Sequence, residues 1–266
     1  MTQVWRQWLD TPAGAYLLSW EQAQLDNMVA DIFGYHALQI GMPEIAGLQA
    51  NRMPNQWLAV SEPEQLQDAP QVQLLAHSVA LPFQADSLDL LVMPHSLELS
   101  LDAHATLREA ERVLVPEGHL VITGLNPTSL WGWRHQRAQW YKRWGRMALT
   151  APPCDELIAY WRLKDWLRLL GFEVKVTKFG CWRPALDKPT WFQRWSWLEK
   201  WGAQWFPILG GAYTVVAVKK VQGSRILGAS WKQRRPQTQA AVTIAQRQTK
   251  PSEGAGLQRK SECEPR

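Results

Sequence analysis

Cysteine is scarce in this 266-residue chain: Cys154, Cys181 and Cys263 are odd in number and far apart. With no CxxC pair among them, neither a disulfide framework nor a zinc site is indicated. Long apolar runs are also missing, and nothing approaches the roughly 20 residues of a membrane-spanning helix. The opening MTQVWRQWLD lacks the apolar stretch of a secretory signal. Internal repeats and heptads are absent too. These absences predict a soluble, cytoplasmic protein. What is present is a 46% hydrophobic content, enough for a full core, and 17 Trp against 5 Tyr and 6 Phe.

The positive charge is local. Residues 222–266 hold nine of the 29 Lys/Arg and three of the 24 Asp/Glu, a net of +6, so residues 1–221 carry −1. A segment rich in Gln, Ser, Arg and Lys buries too little apolar surface to offset the entropy of ordering. The expected organisation is a folded domain over 1–221 and a basic disordered tail over 222–266. The tail is either simply solvated or weakly attracted to an anionic partner such as RNA or lipid headgroups.

Within the body, residues Ala15, Leu18, Gln22, Leu25, Met28, Val29 and Ile32 recur at three- and four-residue intervals, predicting a helix from Thr11 to Phe33 with these on one face. Strand signals follow at His36–Ile40, Trp57–Val60, Val72–Ala76, Leu88–Val92, His119–Thr123, Phe172–Thr177 and Tyr213–Val218. Helical patterns cover Asp102–Val113 and Glu156–Leu170, the first stopped by Pro116 and Gly118, the second by Gly171. Strands separated by helical or long connections imply βαβ units and a mostly parallel α/β sheet. Ligands of such sheets bind beyond the strands' carboxyl ends, which directs attention to 41–47, 61–64, 77–83, 93–99 and 124–134.

Several spaced elements then occur in a telling order: Leu81-Pro82-Phe83, Ser87-Leu88-Asp89, a helix running from Leu107 through Glu109 and Arg112 to Leu114, Pro116-Glu117-Gly118, and the strand His119–Thr123. Over about residues 11–220 the chain resembles the class I S-adenosylmethionine-dependent methyltransferases, type 11 family. The stretch Gly124–Gly132 and the opening Thr11–Leu18 resemble an uncharacterised bacterial subgroup of it. The resemblance implies a Rossmann-like seven-stranded sheet, five parallel strands and a final antiparallel pair, with helices on both faces. It also implies S-adenosylmethionine as cofactor. The first glycine motif is degenerate: Leu38-Gln39-Ile40-Gly41-Met42-Pro43-Glu44-Ile45 keeps one glycine and has Gln39 where the family has an acid. Gln39, Gly41, Glu62 (the ribose acid, with Ser61 the alternative at that place), His77 and Ser78 (the adenine side) are the cofactor-binding candidates that the resemblance implies.

Methyl transfer is an in-line displacement at a sulfonium, in which the protein positions the nucleophile and sometimes takes its proton. His95, just past the fourth strand, is the candidate base, because its ordinary pKa near 6.5 suits proton abstraction at neutral pH; a packing histidine is the other reading. Asn126 and Trp131 are the substrate-binding candidates, Asn126 being equally suited to a turn. No His, Cys or acid grouping suggests a metal. Twelve Trp lie between Trp131 and Trp205, in lid segments at about 131–149 and 182–211. They fit lid packing, interfacial lipid contact, or stacking on RNA. The expected function is methyl transfer to a small, apolar acceptor. The alternative is a catalytically inactive module that engages a membrane, RNA or a protein through the Trp surface and tail.

Overall fold

The computed structural model describes residues 2–63, 73–143, 154, 156–185, 195 and 197–220. The chain divides into two units, Met1–Gly223 and Ser224–Arg266, and the expected basic tail lies outside the described residues. The first unit opens with helices α1 (Thr2–Leu9) and α2 (Pro12–Val29). Strands β1 (His36–Ile40), β2 (Asn55–Val60), β3 (Leu74–Leu75) and β4 (Leu88–Pro94) follow. Next come the short α3 (Ser96–Leu99), α4 (Ala103–Val113), β5 (Leu114–Leu125) and α5 (Leu130–Arg143). Helix α6 (Tyr160–Leu169), β6 (Phe172–Gly180), α7 (Trp197–Trp205), a 3-10 turn (Pro207–Leu209) and β7 (Ala212–Lys219) complete it.

The strands form one seven-stranded sheet in the order β3-β2-β1-β4-β5-β7-β6. β3, β2, β1, β4 and β5 run parallel, while β7 is antiparallel to both its neighbours. The expected antiparallel pair is therefore β6 and β7, with β7 inserted beside β5. Strand order reverses between β1 and β4, so the crevice for a ligand opens beyond their carboxyl ends. Apolar side chains alternate between the two faces. Val121 and Leu125 of β5 join the cluster that contains Trp5, Leu17 and Leu25, whereas Leu120 and Ile122 join the one that contains Leu107, Leu163 and Leu167.

Helix α2 starts where the sequence places it. Thr11 caps it, its hydroxyl accepting from Gly14 N at 3.2 Å, and Pro12 supplies the fixed φ of a first turn. The buried face, however, is Ala13, Gly14, Leu17, Glu21, Leu25 and Val29, only partly the face expected. A charged residue in mid-stripe hides this face from an apolar count. Helix α1 is not among the expected elements, although Val4, Trp5, Trp8 and Leu9 recur at helical spacing; eight residues are too few for that pattern to stand out by itself. α6 begins at Tyr160, four residues later than its apolar pattern suggests.

The family-like elements clamp the scaffold. Asp89 Oδ2 accepts from Tyr35 N and His36 N at 2.8 and 2.9 Å, fixing the entry to β1. Glu109 Oε1 accepts from Leu81 N at 2.7 Å, and Arg112 Nη2 donates to the carbonyls of Leu81 and Phe83. The Leu81-Pro82-Phe83 turn is thus bolted to α4. The Glu109–Arg112 pair, 2.7 Å apart, is a structural fastening.

Candidate active site at the carboxyl edge of the sheet

Gly41 leaves β1 with φ +76°, a left-handed backbone that a side chain strains, and a Cβ there would meet Ser96 Oγ at 3.3 Å. Gln39 does not reach toward a ligand. Its Nε2 donates to the carbonyls of Met42 (3.1 Å) and Ile45 (2.7 Å), and its Oε1 accepts from Gly47 N at 2.8 Å. The amide braces the loop from within. An acid could accept from Gly47 but could not donate to those carbonyls, which gives a reason for glutamine here. Gln39 is corrected from a cofactor contact to a loop brace. Met42 and Ile45, standing near the lost glycines, are buried under α1.

The remaining cofactor candidates fall at adjoining strand ends. Glu62 follows β2 and is half-buried; His77 follows β3 and is exposed. Ser78 is turned toward α4, sharing hydrogen bonds with Thr106 Oγ1 at 3.2 Å and Ser100 Oγ at 3.5 Å. It therefore ties the loop down, and His77 is the accessible member of the pair. Gly41, Glu62 and His77 lie in strand order at one edge, an arrangement that fits the adenosine half of S-adenosylmethionine: room for backbone approach, an acid for ribose hydroxyls and a ring beside the base. No group of His, Cys, Asp or Glu suited to a metal occurs among the described residues.

His95 occupies the end of β4 as expected, but its surroundings change its role. It is 0% exposed and sits at φ +50°. Nδ1 lies 2.7 Å from Glu98 Oε2, and Nε2 lies 2.8 Å from Glu21 Oε1, the latter without in-line hydrogen-bond geometry. Glu98 Oε1 in turn accepts from Leu125 N at 2.6 Å, joining the ends of β4 and β5. Trp5 of α1 packs edge-on to the imidazole at 5.3 Å. Burial alone would lower the imidazole pKa, but the Glu21 and Glu98 carboxylates outweigh it and push it up to about 10. Burial raises the Glu98 carboxyl above its ordinary range despite the neighbouring imidazolium. A base needs a free lone pair and a route to the proton, and His95 has neither. The expectation of a base is replaced by a positioning role for a buried cation between two acids.

The substrate-binding candidates are likewise committed. Asn126 Nδ2 donates to the carbonyls of Ile208 and Gly210 at 2.7 and 3.0 Å, and its Oδ1 accepts from Thr128 N and Oγ1. It pins the approach to β7 against the end of β5, the turn-forming alternative. Trp131 is buried in the core cluster, donates from Nε1 to Arg183 O and stands 5.9 Å from Trp8. Helix α1 runs across this edge: Arg6 pairs with Glu44 at 2.7 Å, Trp5 meets His95, and Trp8 stacks on Trp5 at 5.2 Å. Sequence reasoning missed Glu21, Trp5 and Trp8. Glu21 left one signal, an acid spaced four residues from Leu17 and Leu25.

Of the lid segments, α5 and α7 are described, while 144–149 and 186–194 lie outside the described residues. Glu199 faces inward, pairing with Arg183 at 2.8 Å and accepting from Tyr16. Trp197, Trp201 and Trp205 form a row of rings 6.2 and 6.4 Å apart and are 52–65% exposed, with exposed Phe206 beyond them. No helix among the described residues is long and apolar enough to cross a membrane.

The strand order, the switch at β1 and β4 and the candidate edge define a class I methyltransferase fold. The family described as "Methyltransferase domain" matches residues 52–122. Residues 52–122 are thus similar to that family, and the sheet has the strand order of the class I methyltransferase fold. The chain is 34% identical over 168 residues to the uncharacterised protein YafS of Escherichia coli K12, a match that covers 63% of this chain and 65% of that one. Solved structures share the fold. An S-adenosylmethionine-dependent methyltransferase from Thermotoga maritima superposes with TM-score 0.56 at 15% identity, covering 83% of this chain and all of that one. One from Archaeoglobus fulgidus gives 0.54 at 18% identity, covering 76% and 94%.

Proposed function

We propose that this protein transfers a methyl group from S-adenosylmethionine to a small acceptor with an apolar body. The observation that carries the reading is the edge formed by Gly41, Glu62 and His77 beside the β1/β4 switch, in a chain with the family's sheet. Gly41 lets the backbone approach the cofactor, Glu62 accepts from ribose hydroxyls, and His77 lies beside the base. The cofactor supplies an electrophilic methyl on a sulfonium. Trp8 and Trp131 shape the acceptor side, and the His95–Glu98 pair holds the β4 and β5 ends in register. Calorimetric titration with S-adenosylmethionine and S-adenosylhomocysteine tests this. Binding with 1:1 stoichiometry is expected, and no binding at millimolar ligand returns the chain to the alternative, an inactive binding module.

A second reading concerns location. The exposed row Trp197, Trp201, Trp205 and Phe206 suits the headgroup depth of a bilayer, where indoles concentrate, and the +6 of residues 222–266 would favour anionic lipid over zwitterionic. Co-flotation with phosphatidylglycerol vesicles, reduced in Trp201→Ser, supports it; binding to RNA but not vesicles assigns the surface to nucleic acid instead.

A further inference from the structure

Exposed apolar side chains gather along the carboxyl edge of the sheet, well beyond the α7 row. Leu75 ends β3, Val79 lies in the turn after it, and Leu101 stands between α3 and α4; all three are exposed. They adjoin, because the hydroxyls of their neighbours Ser78 and Ser100 both meet Thr106 Oγ1, at 3.2 and 2.8 Å. Past β5, α5 presents Leu130, Trp133, Arg137 and Trp140 on one exposed stripe, spaced three or four residues apart. Asn126, just before that helix, is bonded to the carbonyls of Ile208 and Gly210, and there exposed Ile208 and Leu209 continue the row that ends at Phe206. The bond from Leu125 N to Glu98 joins the β4 and β5 sides of the edge. The amino edge instead gathers ion pairs, Lys219 with Asp86 and Glu111 and Lys220 with Glu117.

The makeup of the edge selects its partner. Aliphatic Leu75, Val79, Leu101 and Leu130 have no face on which a base could stack, which argues against RNA. Indoles concentrate at the headgroup depth of a bilayer, and aliphatic tips gain by reaching the acyl boundary just below it. Charge points the same way: the α5 sequence holds Arg134, Arg137, Lys142 and Arg143 and no acid, the complement of an anionic surface. The Arg137 guanidinium stands 4.6 Å over the Trp133 ring, so a phosphate-pairing group sits at the level of an exposed indole. We propose that the carboxyl edge as a whole seats on an anionic lipid bilayer, through the Leu75–Val79–Leu101 patch and the α5 stripe as well as α7. The crevice at β1 and β4 then opens toward the headgroups. This rests on the location reading above, which concerns α7 and the tail alone, and widens it to the full edge. It does not depend on methyl transfer, so no result of titration with S-adenosylhomocysteine bears on it.

The test is flotation of the full chain with phosphatidylglycerol vesicles and, separately, phosphatidylcholine vesicles. Wild type is expected to float with the first and markedly less with the second. Leu101→Ser and Trp133→Ser, at exposed positions on two different elements, should each reduce flotation by about threefold or more, the loss of one apolar side chain from the interface. Arg137→Gln should reduce it with phosphatidylglycerol only. Phe33→Ser, an equally exposed aromatic entering β1 at the amino edge, should float like wild type. The inference is overturned if Leu101→Ser and Trp133→Ser both float like wild type, or if Phe33→Ser loses as much as they do. In the first case a loss confined to Trp201→Ser leaves the α7 reading standing without the wider edge. If wild type does not float at all, both fall together. Binding of a polyuridine strand, lost in Trp133→Ser and without flotation, assigns the edge to nucleic acid and also overturns the inference.

Discussion

At the scale of single residues, the most informative position is His95. Its place after the fourth strand was legible in the sequence, but its chemistry was not, since that depends on Glu21, 74 positions earlier, and Glu98. Removing one partner of a buried ion pair strands the others, so His95→Ala is predicted to cost about 3–5 kcal/mol of stability by urea denaturation. The pH dependence follows from the raised pKa. A histidine held above its unfolded value near 6.5 contributes fully below that pH, and the contribution is lost as pH rises through about 10. Urea midpoints should therefore fall between pH 7 and 10 more steeply in wild type than in His95→Gln. Gly41 makes the opposite case, legible from sequence as the surviving glycine of its motif. At φ +76°, Gly41→Ala should lose about 1–2 kcal/mol of stability and bind S-adenosylhomocysteine more weakly. Glu62→Ala should weaken cofactor binding by about tenfold or more, measured by titration with S-adenosylhomocysteine, a hydrogen bond to a charged group being worth roughly 1.5–3 kcal/mol.

At the scale of elements, strands were easier to read than helix faces. β1, β2, β4 and β7 announce themselves as short apolar runs, because strands buried on both faces need no alternation. α2 was read as a helix, yet its buried face was misjudged because Glu21 occupies the middle of the stripe. α1 escaped notice because it is only eight residues long, and a helix that short depends for its stability on the burial of Trp5, Trp8 and Leu9. Trp8→Ala is accordingly predicted to cost about 3–5 kcal/mol, measured by thermal unfolding. In α7 the contrast is sharp. Trp201 is 61% exposed, so Trp201→Ser should shift stability by no more than about 0.5 kcal/mol while reducing flotation with anionic vesicles.

At the scale of the whole molecule, the basic character and the fold separate. Residues 222–266 carry the +6 and residues 1–221 a net of −1, so a 1–221 truncation should unfold at the full-length temperature while losing any salt-sensitive attraction to anionic surfaces. The sequence by itself determined the α/β class, the strand positions and the edge toward which a ligand site is directed. All of these rest on local periodicity or on spacing within one stretch of chain. Only the tertiary structure decided that Gln39 and Asn126 serve the scaffold, that His95 is buried between Glu21 and Glu98, and that Trp5 of α1 packs against its ring. The physical reason is range. Burial, ion pairing and hydrogen-bond satisfaction join residues far apart in sequence, such as Glu21 with His95 or Thr123 with Thr214, and no local pattern records which distant partner a side chain will meet.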